Sequence, residues 1–273
     1  MRKNFLLPVF MTIFFGAWML GGCSPRETAP MTLVDATSRV EGGLRVKRPD
    51  GQGPFPTVIY FHGASDFAWH DGQQAILDGF ATEGFAAVFV DLYHGRGVNG
   101  PAVRSGALMP RAAARDVSIA LDWAGRQSWA APGRLGLFGL SFGATTIMDA
   151  LVLDAPDRSL ETARAAALLT PWCAKDIFGF NMIRAVHVDF ARHIPMLAIL
   201  PQADSASNQA LCQAILQRNQ ARGAPIEVVS VAGAGHNFAL ENDDYGNAFE
   251  DYDAAKSKAA WQRIYTFFRT RLE

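Results

Sequence analysis

Short, continuous apolar runs recur along the chain from Thr57 onward, separated by polar or glycine-rich segments. Thr57 to Phe61, Phe85 to Val90, Leu135 to Phe138, Ala165 to Leu169, Met196 to Leu200 and Ile226 to Val231 read as strands covered on both faces. A strand with one wet face would alternate apolar and polar positions instead. Asp71 to Thr82, about Arg111 to Trp123, Ala144 to Leu153, Asn208 to Arg222 and Ala254 to Leu272 read as helices. Strands alternating with helices predict an α/β domain, with a mainly parallel central sheet and helices on both faces. Thr32 to Lys47 reads as opening antiparallel strands, and Pro49-Asp50-Gly51 as a turn. Trp172 to Ile194 reads as a long irregular stretch carrying aromatic residues.

The first residues follow a different pattern. Arg2 and Lys3 precede an apolar run from Phe5 to Leu20, and Leu20-Gly21-Gly22-Cys23 follows it. That is the charged, apolar and small-residue order of a secretory signal. A membrane-spanning helix is the alternative, but the run is shorter than the roughly 20 residues a span needs. Cysteine directly after Leu-Gly-Gly resembles the lipobox of bacterial lipoproteins, which implies acylation of Cys23 and removal of residues 1–22. An ordinary signal with an incidental cysteine is the other reading. Ser24 after Cys23, with no aspartate, resembles outer-membrane sorting, so the expected location is the cell envelope, facing the periplasm. Residues 23–31 then form a polar tether and 32–273 the folded domain.

Composition narrows this further. The 273 residues are 49% hydrophobic and 19% charged, which suits one large globular domain. A net charge of −1 gives no electrostatic footprint for nucleic acid. No repeat or low-complexity tract is present.

The candidate chemistry centres on Gly139-Leu140-Ser141-Phe142-Gly143, where an apolar run meets a helical one. Gly-x-Ser-x-Gly between strand and helix is the nucleophile elbow, a sharp turn that exposes the serine hydroxyl at the strand's end. A Cβ on either glycine would collide across such a turn. A serine hydroxyl needs an adjacent base, and the base needs an acid to orient it. His236 lies in the glycine-rich stretch Gly233-Ala234-Gly235-His236, after the last strand, where small neighbours allow close approach to an elbow. Asp204 follows the strand Met196 to Leu200 through Pro201-Gln202-Ala203, whereas the rivals Asp176 and Asp189 follow no strand closely. The order Ser141, Asp204, His236 is that of the α/β-hydrolase fold. Two backbone amides should bind the oxyanion: Phe142, after the nucleophile, and Ala64, in His62-Gly63-Ala64 after an early strand. His62 reads as a residue that orders this loop. His70, His187 and His193 read as ordinary polar residues, and His94 stays open. His62, His70, Asp91 and His94 could form a metal cluster, but no metal-ligand spacing supports one.

Tyr60-Phe61-His62-Gly63, Asp91-Leu92-Tyr93-His94-Gly95-Arg96-Gly97, the elbow, Gln202-Ala203-Asp204 and Gly233-Ala234-Gly235-His236-Asn237-Phe238 together resemble the dienelactone hydrolase family. The similarity spans about Pro56 to Leu272 and is to exported members with a serine nucleophile; members that open dienelactones carry a cysteine there. The resemblance implies an α/β-hydrolase acting on a small-molecule carboxylic ester or lactone, without a cofactor or metal, as a monomer held to a membrane through its acylated N-terminus. Amide or peptide cleavage by the same triad, or a non-catalytic binding lipoprotein, are the alternatives. The resemblance further implies that Arg96 contacts an anionic part of the substrate, where the other reading is an arginine that braces its own loop. In this fold the strands before Cys173 and Cys212 should be neighbours, and similar exported relatives carry both cysteines. That implies a Cys173–Cys212 disulfide, against two free buried thiols.

Overall fold

In the computed structural model, residues 33–152, 158–177, 180–184 and 189–273 are described. The signal segment 1–22, Cys23 and the tether 23–31 lie outside them, as does His187.

Seven strands form one sheet: β1 (Leu44–Lys47), β2 (Phe55–Phe61), β3 (Ala86–Val90), β4 (Ala130–Leu140), β5 (Ala163–Leu169), β8 (Met196–Pro201) and β9 (Ile226–Val231). Their spatial order is β1-β3-β2-β4-β5-β8-β9. β1 runs antiparallel to β3, and every other neighbouring pair is parallel. The parallel strands need crossovers, and helical segments supply them except between β5 and β8, where the described residues of the connection contain no helix. Successive residues then face opposite cores. Ile59, Phe61, Val88 and Leu137 join a core with the helices α1 (Leu33–Gly42), α5 (Arg115–Gly125), α6 (Phe142–Val152) and α7 (Gln209–Ala221). Val58, Tyr60, Phe89 and Phe138 join the opposite core with α2 (Asp71–Thr82) and α8 (Ala254–Leu272). This is the α/β-hydrolase architecture, and burial on both faces explains why the strands read as unbroken apolar runs.

Three elements differ from the sequence reading. Leu33–Gly42 is a helix, and only Leu44–Lys47 of the opening segment is a strand. Ala36, Arg39 and Val40 are all buried. Their three- and four-residue spacing is that of one helical face, not of a strand. The helix expected near Arg111 to Trp123 is two, α4 (Pro110–Ala113) and α5, the latter running on to Gly125. A short helix, α3 (Gly100–Arg104), precedes them, capped by the Asn99 side chain, which accepts from the Ala102 amide. The stretch after β5 also holds an antiparallel pair, β6 (Ala174–Ile177) with β7 (Phe180–Arg184).

Cys173 and Cys212 form a disulfide, with Cα atoms 5.4 Å apart. Both residues are fully buried in the core beneath α7. The bridge joins the segment after β5 to the first turns of α7, across the neighbouring strands β5 and β8. It closes a loop with a sequence separation of 39. In the chain-entropy account, closing such a loop stabilises by about 4 kcal/mol.

Candidate active site

The carboxyl ends of β2, β4, β5 and β8 gather at one edge of the sheet, and the elbow lies among them. Ser141 follows β4 with φ 49°, a left-handed conformation that a non-glycine residue adopts only when its surroundings enforce it. The enforcing contacts are backbone ones. The Ser141 amide donates to the Leu169 carbonyl of β5 at 2.9 Å, and the Ser141 carbonyl accepts from the amides of Thr145 at 3.1 Å and Trp172 at 3.3 Å. A Cβ on Gly139 would lie 2.5 Å from the Ala144 Cα, across the turn. One on Gly143 would lie 2.1 Å from the Phe61 carbonyl oxygen. The second glycine therefore makes room for the neighbouring strand β2, not for the turn itself.

A base and an acid complete a line. His236 Nε2 is 2.9 Å from Ser141 Oγ, and His236 Nδ1 is 2.7 Å from Asp204 Oδ2. The Asp204 side chain is 0% exposed and that of His236 is 13% exposed. The amides of Ala206 and Ser207 donate to Asp204 Oδ1 at 2.7 and 2.9 Å. These bonds fix the carboxylate where it can accept the imidazole Nδ1–H, which leaves Nε2 facing the Ser141 hydroxyl. The Ala203 amide donates to the Ala234 carbonyl at 2.8 Å, tying the acid's loop to the base's loop. Gly235 makes room for Asp251, not for Ser141: a Cβ there would lie 2.4 Å from the Asp251 carboxylate. That carboxylate accepts from the Asn237 amide at 2.8 Å and braces the base's loop from behind. Asp189, one rival acid, is engaged by Arg218 at 2.6 Å. The side chain of Asp176 lies outside the described residues.

The loop after β2 closes the other side. A Cβ on Gly63 would lie 3.5 Å from the Ser141 Cβ, so the Gly63–Ala64 peptide passes directly beside Ser141. His62 sets the orientation of that peptide. Its Nε2 accepts from the Leu92 amide at 3.0 Å, so its proton sits on Nδ1, which donates to the Gly63 carbonyl at 2.7 Å. The Tyr93 hydroxyl donates to the same carbonyl at 3.3 Å. Full burial pushes the His62 imidazole down to about 4, and the Gly63 hydrogen bond and the nearby Asp91 only partly offset this. Neutral His62 therefore holds the carbonyl whose peptide carries the Ala64 N–H.

Ser141, His236, Phe142 and Ala64 line one cavity of about 570 Å³, together with Thr170 and Trp172. Thr170 was not singled out from the sequence. It follows β5 and takes the other left-handed non-glycine conformation among the described residues, φ 48°. The adjoining cavity, about 760 Å³, is walled by Phe67 and Trp69 of the loop before α2, by aromatic residues of the 241–252 segment, and by Trp261 and Tyr265 of α8.

Arg96 is not at this cavity. Its guanidinium donates to both Asp116 oxygens at 2.7 and 3.1 Å and to the Leu92 carbonyl at 2.9 Å. Its place after β3 suggested a substrate contact, but the loop turns it inward, onto the buried carboxylate of α5. The arginine that does line the cavity is Arg104, on α3, which donates to the Ala64 carbonyl at 2.6 Å and to Asp66 at 2.5 Å. The other histidines scatter. His70 contacts Asp244 at 3.1 Å and Gln73 at 2.8 Å, while His94 packs beside Gly42 and Gly43. Among the described residues, no three His, Cys, Asp or Glu side chains are grouped to hold a metal.

The dienelactone hydrolase family profile matches residues 44–272. No curated protein sequence matches the chain. Solved structures share the fold at low identity. A candidate dienelactone hydrolase from Klebsiella pneumoniae superposes with a TM-score of 0.65 at 20% identity, covering 83% of this chain and 92% of that one. A dienelactone hydrolase-like promiscuous phosphotriesterase from metagenomic libraries gives 0.63 at 17%, covering 85% and 100%. A propionate-bound thermophilic esterase from Thermogutta terrifontis gives 0.60 at 17%, covering 83% and 88%.

Proposed function

We propose, for a chain that belongs to the dienelactone hydrolase family, that it is a serine esterase which cleaves a small carboxylic ester or lactone through an acyl-enzyme. The observation that carries this reading is His236 standing between Ser141 Oγ and the buried Asp204 carboxylate, at 2.9 and 2.7 Å. Ser141 Oγ attacks the ester carbonyl carbon as its proton passes to His236 Nε2. Asp204 stabilises the imidazolium that forms. The amides of Phe142 and Ala64 donate to the oxyanion, each contributing about 3 kcal/mol in the transition state. Collapse of the adduct breaks the bond to the alkoxy oxygen, which takes the proton from His236. Water then repeats the sequence on the acyl-enzyme and releases the acid. A lactone follows the same path, with its alcohol still attached to the acyl chain.

The test is a rate survey of the wild type and Ser141→Ala over nitrophenyl esters of increasing acyl length, aryl lactones and a matched anilide. Esters should turn over faster than the anilide, and Ser141→Ala should lose a factor of about a thousand or more. Near-wild-type turnover in the variant, or faster anilide cleavage, would overturn the reading.

The N-terminal pattern supports a second part of the proposal. The Cys23 thiol receives a diacylglycerol, residues 1–22 are then removed, and the enzyme is held to the envelope membrane. More than one hydrocarbon chain gives stable attachment. Wild-type mature protein should partition into detergent and Cys23→Ser should not; wild-type protein fully soluble in the periplasm would contradict this.

A further inference from the structure

Asp204 has four hydrogen-bond donors, and only one is the histidine. Oδ1 takes the two amides of its own turn, whereas Oδ2 is shared. His236 Nδ1 approaches it at 2.7 Å, and Gln209 Nε2 approaches the same oxygen at 2.7 Å. Gln209 is the first residue of α7, next to the cap Asn208, whose side chain accepts from the Leu211 amide. The amide cannot be turned round. The atom facing Asp204 also lies 3.2 Å from the Pro171 carbonyl oxygen. Both neighbours are acceptors, so the atom between them is the nitrogen, with one proton for each. The Gln209 Oε1 is buried without a hydrogen-bond partner among the described residues. Such an orphan acceptor is unfavourable, so the donor side is what the position requires.

We propose that Gln209 is a positioning residue of the triad: it fixes Oδ2 of Asp204 and draws part of its charge away from His236. This rests on the esterase reading for its kinetic consequence, though not for the contact itself. A donor on Oδ2 has two effects. It holds the carboxylate so that its lone pair meets the imidazole Nδ1–H. It also weakens the pull of the carboxylate on an imidazolium, so that the base stays neutral to lower pH. Without the donor, Asp204 would favour the protonated ring more strongly, and the acid limb of kcat/KM would move to higher pH.

The other charges facing His236 stay in place when Gln209 is changed. They are Asp251 behind Gly235, Asp243 and Asp244 in the segment lining the cavity, and Asp66 with its partner Arg104. The turn Gln209–Cys212 adds no ionisable group, because its cysteine is in the disulfide.

The experiment compares kcat and KM for a nitrophenyl ester from about pH 5 to about pH 8 in the wild type, Gln209→Met and Ser141→Ala. Methionine keeps the volume and removes both donors. The expected result is a roughly tenfold fall in kcat, KM within about twofold, and an acid limb raised by about half a unit to one unit. An acid limb within about 0.2 unit of wild type, with a rate loss that tracks the folded fraction, would overturn the proposal. A second arm needs no turnover. In the wild type, the Gln209 side-chain amide protons should shift in NMR spectra at the same midpoint as the His236 ring signals. Amide signals indifferent to that titration would overturn the proposal, even if Gln209→Met fails to fold. Survival of turnover in Ser141→Ala would instead sink the esterase reading, and the NMR arm would still decide the contact.

Discussion

Asp116 and Asp204 are both withdrawn from solvent, with side chains 1% and 0% exposed, but their partners differ in charge. Asp116 sits between two arginines. Arg39 of α1 reaches its oxygens at 2.5 and 3.2 Å, and Arg96 reaches them at 2.7 and 3.1 Å. Asp204 is held by three neutral N–H groups and one imidazole. A guanidinium does not give up its proton, so the partners of Asp116 offer no base, and the cluster fastens α1, α5 and the loop after β3 together. An imidazole gains and loses a proton near neutrality. In the proposed mechanism the charge of Asp204 is therefore available for an imidazolium that exists only during the reaction. Burial alone marks neither carboxylate as catalytic; the ionisation of the partner separates them.

His62 and His236 repeat the contrast. His62 is fully buried, with both ring nitrogens engaged by backbone groups, and it holds the loop after β2. His236 keeps one nitrogen on Asp204 and one on Ser141 at the wall of the cavity.

The sharpest way to break the comparison is to neutralise each aspartate. Asp204→Asn should lower kcat/KM by about four orders of magnitude, because an amide there favours the wrong imidazole tautomer, with little change in melting temperature. Asp116→Asn should do the reverse. Two buried guanidiniums lose their counter-charge, at a cost of about 3–5 kcal/mol in denaturant unfolding. Activity per folded molecule should stay within about threefold. If Asp116→Asn abolished turnover while the protein stayed folded, or Asp204→Asn only destabilised, the division of roles would be wrong.

A smaller effect comes from His62. Unfolded, it takes a proton near 6.5, and folded only near about 4. Between those values the unfolded chain binds more protons, so the His62 contribution to stability is lost as pH falls from about 6.5 towards about 4. Denaturant midpoints measured across that interval should fall, and less steeply in His62→Asn. The same slope in both proteins would remove His62 from the account.

How much of this could be read from the chain follows the range of the contacts. The parallel strands were legible because burial on both faces leaves unbroken apolar runs, and Asp71–Thr82, Ile226–Val231 and Ala254–Leu272 fall at the boundaries read from the sequence. Ser141, Asp204 and His236 were legible as an order of residues after strands, a pattern the fold imposes locally. Leu33–Gly42 was not, because its buried face includes Arg39, which is a core residue only once Asp116 lies opposite, 77 positions away. The two readings of Arg96, substrate contact and loop brace, stayed open for the same reason: the partner that decides for the brace lies 20 positions on, in a helix whose packing no local pattern states. Arg104 was missed because its contact with the oxyanion loop joins residues 40 apart. Gln209 lies only five positions from Asp204, but nothing distinguishes a glutamine that opens a helix until its amide is seen between two acceptors.

The most direct measurement of the central claim, that Ser141 is a nucleophile activated by His236 and Asp204, is the rate and site of labelling by a fluorophosphonate. Peptide mass spectrometry should find one adduct, on Ser141, and Asp204→Asn should form it at least about a hundredfold more slowly than wild type. An adduct on another residue, no adduct on the folded wild type, or equal rates in the two proteins would contradict the claim.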